Sequence, residues 1–348
     1  MTDLLIRTEG CAGRITLNRP AALNAVTWAM CLAIERALDG WRADPAVALV
    51  LIDAAGDRAF SAGGDLTEMY RTGTAGDFDY GRRFWRDEYR MDAKLAEYPK
   101  PVVSFLQGFV MGGGVGVGCH ASHRIVGETA QVAMPECGIG LVPDVGGSLL
   151  LANAPGRCGE YLALTATRMG PADAIRAGFA DTFVPEARWE GLKAELCASG
   201  NWKRIADAAE APPPGALEAA ADDIDRSFGG ERLGDIVRAL KTDASPFAAD
   251  ALKRLSKTAP LSMSCAVEMI HRLRGTASIR RALELEYRFT HRAMEHGDFL
   301  EGIRAAIVDK DRTPRWRHAD PEAVPAVEVS RMLMPLGAAA LNLEEELA

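Results

Sequence analysis

The sequence predicts an α/β protein with a helical C-terminal region, on three observations. Short β-type runs alternate with helical patterns through the first half of the chain, as layered α/β cores require. Two of those runs, residues 46–52 and 101–106, are almost wholly apolar, as strands covered on both faces are. Past residue 196 the β-type runs stop, and alanine-rich, charge-rich amphipathic patterns replace them.

The elements follow in order. Residues 4–8 and 14–17 read as a hairpin around Glu9-Gly10-Cys11-Ala12-Gly13. Val26, Met30, Ile34, Leu38 and Trp41 recur at helical spacing and give one apolar stripe. A buried strand over 46–52 follows Asp44-Pro45, and a helix over 82–98 is stopped by Pro99. The strand at 101–106 comes next, then short strands at 125–126 and 131–134. After Pro212-Pro213-Pro214-Gly215 the chain reads as several amphipathic helices. The clearest is 278–296, with Ile279, Leu283, Leu285 or Glu286, and Phe289 near one face. The change of texture divides the chain into a core, residues 1–200, and a helical region, 201–348. The acidic tail, 341–348, is expected to fray.

Composition narrows the function. With 348 residues, 48% of them hydrophobic, the chain can bury a large core without disulfides or metals. Its net charge, 40 − 48 = −8, opposes broad binding to phosphate backbones, so nucleic acid is not an expected partner. Seven scattered cysteines with no CxxC, and an N-terminus without an apolar signal core, lead us to expect a cytoplasmic protein. The uncharged stretch 101–122 is long enough for a membrane span. Its six glycines and its Pro101, Gln107 and His120 read instead as strand, turn and buried helix, so no membrane partner is expected.

Several catalytic signatures are missing. There is no GxSxG elbow and no GxxxxGK[ST] loop, and the six histidines show no metal-binding spacing, so no metal is expected. Gly116 to Ala121 matches GxGxxA, but no acidic residue ends a strand at the distance a dinucleotide needs. Cys137 with His120 could be a nucleophile and base, yet a lone cysteine more often acts as a small buried hydrophobe.

Three segments carry chemistry. In Phe60-Ser61-Ala62-Gly63-Gly64-Asp65-Leu66, two glycines after a strand let backbone N–H groups face a ligand; a plain tight turn is the alternative. In Gln107-Gly108-Phe109-Val110-Met111-Gly112-Gly113-Gly114-Val115-Gly116, a triple glycine opens a helix whose first N–H groups are free. Each glycine costs the helix about 1 kcal/mol relative to Ala, so either a ligand or another backbone must approach closely. The third segment is MPECGIGLVPDVGG, from Met134 on. It sets Glu136 and Asp144 in apolar, Gly/Pro-rich surroundings, which raise carboxylate pKa values and suit acid–base or nucleophilic work; loop-capping carboxylates are the alternative.

Together and in this order these segments resemble the crotonase (enoyl-CoA hydratase/isomerase) superfamily, and the likeness runs from residue 1 to about 200. It implies a crotonase (ClpP-like) fold of repeated ββα units. NRPAALNAV resembles the superfamily's CoA-contacting turn, which assigns CoA binding to Ala21, Ala22, Leu23, Ala62, Gly64, Asp65 and Leu66. The N–H groups matching the superfamily's oxyanion hole belong to Gly64 and Gly113. A hydratase of this superfamily uses two glutamates. One position matches Glu136; the other matches Gly116, which has no side chain.

The finer pattern resembles the 3-hydroxyisobutyryl-CoA hydrolase branch, through MGGGVGVG, AMPECGIGLVPDVGG, FWRDEYRMDAKLAEYPKP and DFLEGIRAAIVDKDRTPRWRHAD. APLSMSCAVEMI departs from it, lacking a lysine after the second serine. The resemblance implies that Glu136 and Asp144 act at the thioester and that Glu88 contacts substrate. It implies valine breakdown as the pathway, no resident cofactor beyond the coenzyme A of the substrate, and a homo-oligomer, trimer or hexamer. Glu136 would either activate a water or attack the carbonyl. Alternative expectations are enoyl-CoA hydratase or isomerase chemistry on the same fold, and an acyl-CoA-binding protein without turnover.

Overall fold

The computed structural model describes residues 2–343, and the end of the acidic tail lies outside that range. The described chain divides into two compact units. Of the described residues, one holds 2–64, 90–133 and 168–216; the other holds 65–89, 134–167 and 217–343.

The first unit is built on nine strands. They are β1 (Leu4–Glu9), β2 (Ala12–Leu17), β3 (Leu49–Ala54), β4 (Ala59–Ser61), β5 (Val102–Leu106), β6 (Phe109–Met111), β7 (His123–Val126), β8 (Gln131–Ala133) and β9 (Thr182–Phe183). Six form a sheet in the order β1-β2-β3-β5-β7-β9, antiparallel only at the β1–β2 hairpin. The other three form a parallel sheet, β4-β6-β8. Consecutive strand pairs therefore divide between the sheets: β3, β5 and β7 enter the large one, and β4, β6 and β8 the small one. A helical segment follows each pair, which is the repeated ββα pattern.

The helices are α1 (Trp28–Arg42), α2 (Thr67–Thr74), α3 (Asp79–Ala96), α4 (Gly113–Cys119), α5 (Gly147–Asn153), α6 (Cys158–Thr165), α7 (Pro171–Arg176), α8 (Trp189–Ser199) and α9 (Arg204–Ala208). Those after the last strand continue with α10 (Ala221–Ser227), α11 (Leu233–Thr242), α12 (Pro246–Leu255), α13 (Pro260–Leu273), α14 (Ile279–His296), α15 (Phe299–Ile303) and α16 (Ala326–Leu333). The segment 101–122 is β5, β6 and α4, and no helix among the described residues is long and apolar enough to cross a membrane.

Several boundaries differ from the sequence reading: α3 starts at Asp79 and ends at Ala96, β2 starts at Ala12 and β7 at His123, and two further shifts have a visible local reason. β3 starts at Leu49 because Asp44 Oδ1 accepts the Ala46 N–H, folding the residues after it into a turn. Val26 stands outside α1, where Thr27 caps the helix by accepting the Met30 N–H. Val26 bridges Gly64 instead.

Each unit has its own core. Leu49, Leu51, Val103, Phe105 and Ile125 of the large sheet pack with Trp189, Leu192 and Leu196 of α8. In the second unit Phe228, Ile236, Leu240, Ala251, Met263 and Val267 enclose Leu164 and Cys137. Cys137 thus serves as a buried anchor, and burial pushes its thiol well above the ordinary range. All seven cysteines are free, and six are buried.

Candidate active site

The glycine turns belong to the first unit. β4 and β6 run parallel, with Ser61 paired to Val110, so Ala62-Gly63-Gly64 and Gly112-Gly113 leave the same end of neighbouring strands. Ligands of parallel α/β sheets gather at that end. Gly63 (φ 119°) and Gly112 (φ 49°) take backbone that L side chains rarely adopt. Gly113 is the first residue of α4, so its N–H has no acceptor within the helix. At Gly114 the packing reading holds, because a Cβ there would sit 2.5 Å from the Ser61 carbonyl oxygen. Gly116 lies buried within α4 and offers no carboxylate.

The expected CoA turn is locked beside the first of these. Pro20–Ala22 form a short 3-10 helix, with Ala21 and Ala22 exposed, and Leu23 closes it in the left-handed region. Asn24 is buried; its amide donates to the carbonyls of Ala55 and Ala59, both at 2.9 Å, and its Oδ1 accepts the Arg19 N–H. The Ala62 N–H donates to Leu23 O and the Val26 N–H to Gly63 O. Residues 23–26 are thereby stitched to 62–63. Asp65 and Leu66 fall in the second unit, where Asp65 Oδ1 accepts the Thr67 N–H at the start of α2.

The carboxylates all belong to the second unit. Glu88 lies on the buried stripe of α3 with Phe84, Trp85, Met91 and Leu95, and is 4% exposed. Arg86 pairs with Asp87, not with Glu88. Glu136 opens a 3-10 turn ended by Gly140, whose φ is 74°. That turn packs against the start of α15: Cβ atoms at Gly140 and Gly302 would fall 2.5 Å from the Asp298 backbone and 2.1 Å from the Ile139 carbonyl oxygen. Glu136 and Asp144 are each 4% exposed, and Glu136 Oε2 is buried with no hydrogen-bond partner within the protein.

Burial is the first cause of every pKa shift here. It lifts Glu136 well above the carboxylate range, helped by the charges of Asp144 and Glu286. It lifts Glu88 likewise, with Asp144 adding to the effect. Asp144 is pushed up to about 7, even though the Tyr89 hydroxyl donates to its Oδ2 at 2.7 Å and favours the charged form. Among the described residues no ion pair holds Glu88, Glu136 or Asp144. Such a cluster cannot carry all its charges at once, so it holds protons near neutral pH.

Two members of the cluster escaped the sequence reading. Tyr89 follows Glu88 on α3, and nothing in its neighbours marks it. Glu286 had a signal, a carboxylate level with Leu283 and Phe289 on the apolar face of α14. It is fully buried, accepts from Gly146 N, Ser148 N and Ser148 Oγ, and is pushed up to about 8 by that burial. Among the described residues no group of three or more His, Cys, Asp or Glu could hold a metal ion.

Known proteins match nearly the full length of the chain. A family model described as enoyl-CoA hydratase/isomerase matches residues 12–333. The chain is 36% identical to the mitochondrial 3-hydroxyisobutyryl-CoA hydrolase of Gallus gallus, over 96% of this chain and 89% of that one. It is 34% identical to the Homo sapiens protein of that name, over 98% and 90%. Among solved structures, an enoyl-CoA hydratase from Rhodobacter sphaeroides is 58% identical with a TM-score of 0.95, covering 98% of this chain and 100% of that one. A carnitinyl-CoA dehydratase from Mycobacterium thermoresistibile is 39% identical with a TM-score of 0.94, covering 99% of each. On the extent of that match and the agreement of the two folds, the chain belongs to the enoyl-CoA hydratase/isomerase family and has the crotonase fold.

Proposed function

We propose that this protein hydrolyses the thioester of a short 3-hydroxyacyl-CoA, with 3-hydroxyisobutyryl-CoA as the best-fitting substrate. The observation that carries this reading is Glu136, a buried carboxyl with one oxygen unpartnered, beside Asp144 and without the second glutamate of a hydratase, since Gly116 stands there. The identity to 3-hydroxyisobutyryl-CoA hydrolases along nearly the full chain supports it.

In this reading the N–H groups of Gly64 and Gly113 take up the charge that develops on the thioester oxygen. The ionised Glu136 either draws a proton from water as the water oxygen bonds to the carbonyl carbon, or attacks that carbon itself to give an anhydride that water then opens. In both routes the C–S bond breaks and the CoA thiolate leaves and takes a proton. Asp144 orients Glu136, the water or the substrate. Glu88 accepts a hydrogen bond from the substrate 3-hydroxyl. Ala21, Ala22, Leu23, Ala62, Asp65 and Leu66 hold the CoA portion. Coenzyme A arrives as part of the substrate, and the chemistry calls for no metal.

The test is release of free thiol from a panel of acyl-CoA thioesters with and without a 3-hydroxyl. We expect thiol from 3-hydroxyisobutyryl-CoA and at least about tenfold lower kcat/KM on isobutyryl-CoA, because the deoxy substrate leaves Glu88 desolvated and unpaired. Glu88→Ala should lower that ratio; equal loss on both substrates would remove Glu88 from hydroxyl recognition. A second reading, water addition to an enoyl-CoA, is favoured by the name of the 58% identical structure. Loss of enoyl absorbance with no thiol released would establish it instead.

A further inference from the structure

Asp144 depends on a turn that the local sequence does not favour. Val145 is a buried, β-branched residue at φ 52°, a left-handed conformation that such side chains rarely accept, and Gly146 follows at φ 78°. The surrounding structure must hold a backbone of this kind in place. The holding contact comes from α14, 140 residues on in the chain. Glu286 Oε2 accepts the Gly146 N–H at 2.8 Å, and Oε1 accepts the Ser148 N–H at 3.1 Å together with the Ser148 hydroxyl. The Gly147 N–H closes the turn onto the Asp144 carbonyl at 2.7 Å. Three donors thus converge on one buried carboxyl group, and both its oxygens are used.

We infer that Glu286 is a positioning residue for the reaction: it clamps the Val145–Gly146 turn from α14 and so fixes where Asp144 presents its carboxyl group. Glu286 itself has no part in bond making. The inference rests on the hydrolase reading, because it acts through Asp144. A residue that merely capped α5 would supply the same hydrogen bonds, so the test must separate positioning from stability.

The experiment measures thiol release from 3-hydroxyisobutyryl-CoA by wild type, Glu286→Gln, Asp144→Asn and the double variant, with thermal melting of each. Glutamine has one acceptor oxygen where the turn requires two. We expect Glu286→Gln to lower kcat by about tenfold to thirtyfold, with KM changed less than about threefold. In the Asp144→Asn background the same change should lower kcat by less than about twofold, since residues acting through one another are not additive. Ser148→Ala, which keeps both backbone bonds, covers the case in which Glu286→Gln fails to fold. It should lower kcat about twofold to fivefold, and have no effect once Asp144 is Asn. An undiminished kcat in Glu286→Gln, or a loss that multiplies with that of Asp144→Asn, overturns the inference and leaves the hydrolase reading intact. Wild-type turnover in Asp144→Asn overturns the role of Asp144 and this inference with it.

Discussion

Glu160 and Asp144 are two carboxylates buried in the same unit with opposite electrostatics. Glu160 is fully buried on α6, and its Oε1 meets Arg157 at 3.0 Å, His271 at 3.0 Å and the Arg274 guanidinium. Burial alone would raise it, but hydrogen bonds from His271, its own backbone and Arg157, together with the charge of Arg274, outweigh that and bring it down to about 2. Asp144 is as deeply placed, yet only the Tyr89 hydroxyl and its own backbone oppose burial, and it is pushed up to about 7. The groups packed beside them, more than depth, set these two carboxylates apart. A cation beside the group fixes its charge and makes it structural; a neutral donor leaves its proton exchangeable near neutral pH.

The largest expected effect is at Glu136, whose burial raises its pKa as it does that of Asp144. Glu136→Gln keeps the shape but cannot act as base or nucleophile, so thiol release should fall by about 10²–10⁴ while CoA binding, followed by calorimetry, stays within a few-fold. Its melting temperature should hold or rise, since a buried ionisable group is replaced by a neutral one. Wild-type turnover would remove Glu136 from the mechanism.

Glu160→Gln should do the reverse. It leaves partly exposed arginines without their anion and should cost about 1–3 kcal/mol in denaturant unfolding, with kcat within about twofold of wild type. A large loss of turnover without loss of stability would erase the distinction between the two carboxylates.

pH separates them without mutation. Asp144 keeps a proton in the folded state, to about 7, that the unfolded chain releases near the ordinary 3.8. Its contribution to stability is full below 3.8 and is lost as pH rises through 7. Glu160 has the opposite sign: its contribution is present above 4.5 and is lost as pH falls toward 2. Melting temperature measured between pH 5 and 9 should fall less steeply in Asp144→Asn than in wild type. Identical slopes would show that Asp144 titrates in the fold as it does in the unfolded chain.

The smallest effect sharpens the comparison. Tyr89→Phe removes the donor that favours ionised Asp144, so the Asp144 pKa should rise further. In the kcat/KM profile the acidic limb should shift to higher pH by about one unit or less, with a rate loss at neutral pH of up to about tenfold. A shift to lower pH would mean that the limb belongs to another group.

Local rules sufficed for most of the fold. Apolar runs became β3 and β5, the stripe through Met30, Ile34 and Leu38 became the buried face of α1, and Gly112 with its positive φ opened α4 where the triple glycine placed a helix start. These depend on period, side-chain size and backbone freedom, all local properties. Glu136 and Asp144 were legible for the same reason, as carboxylates among neighbours too apolar to solvate them. Tyr89 and Glu286 were not, because what they do is set by residues far away: Tyr89 bonds a side chain 55 positions on, and Glu286 a turn 138 to 140 positions back. A carboxylate at the edge of a helical stripe has the same sequence signature whether it faces solvent or is fully buried. The sequence by itself determined the strands, the glycine turns and which carboxylates lie in apolar loops. The tertiary structure alone decided which buried carboxylate gains a cation and which keeps its proton, because charge state depends on what packs beside a group and not on its neighbours along the chain.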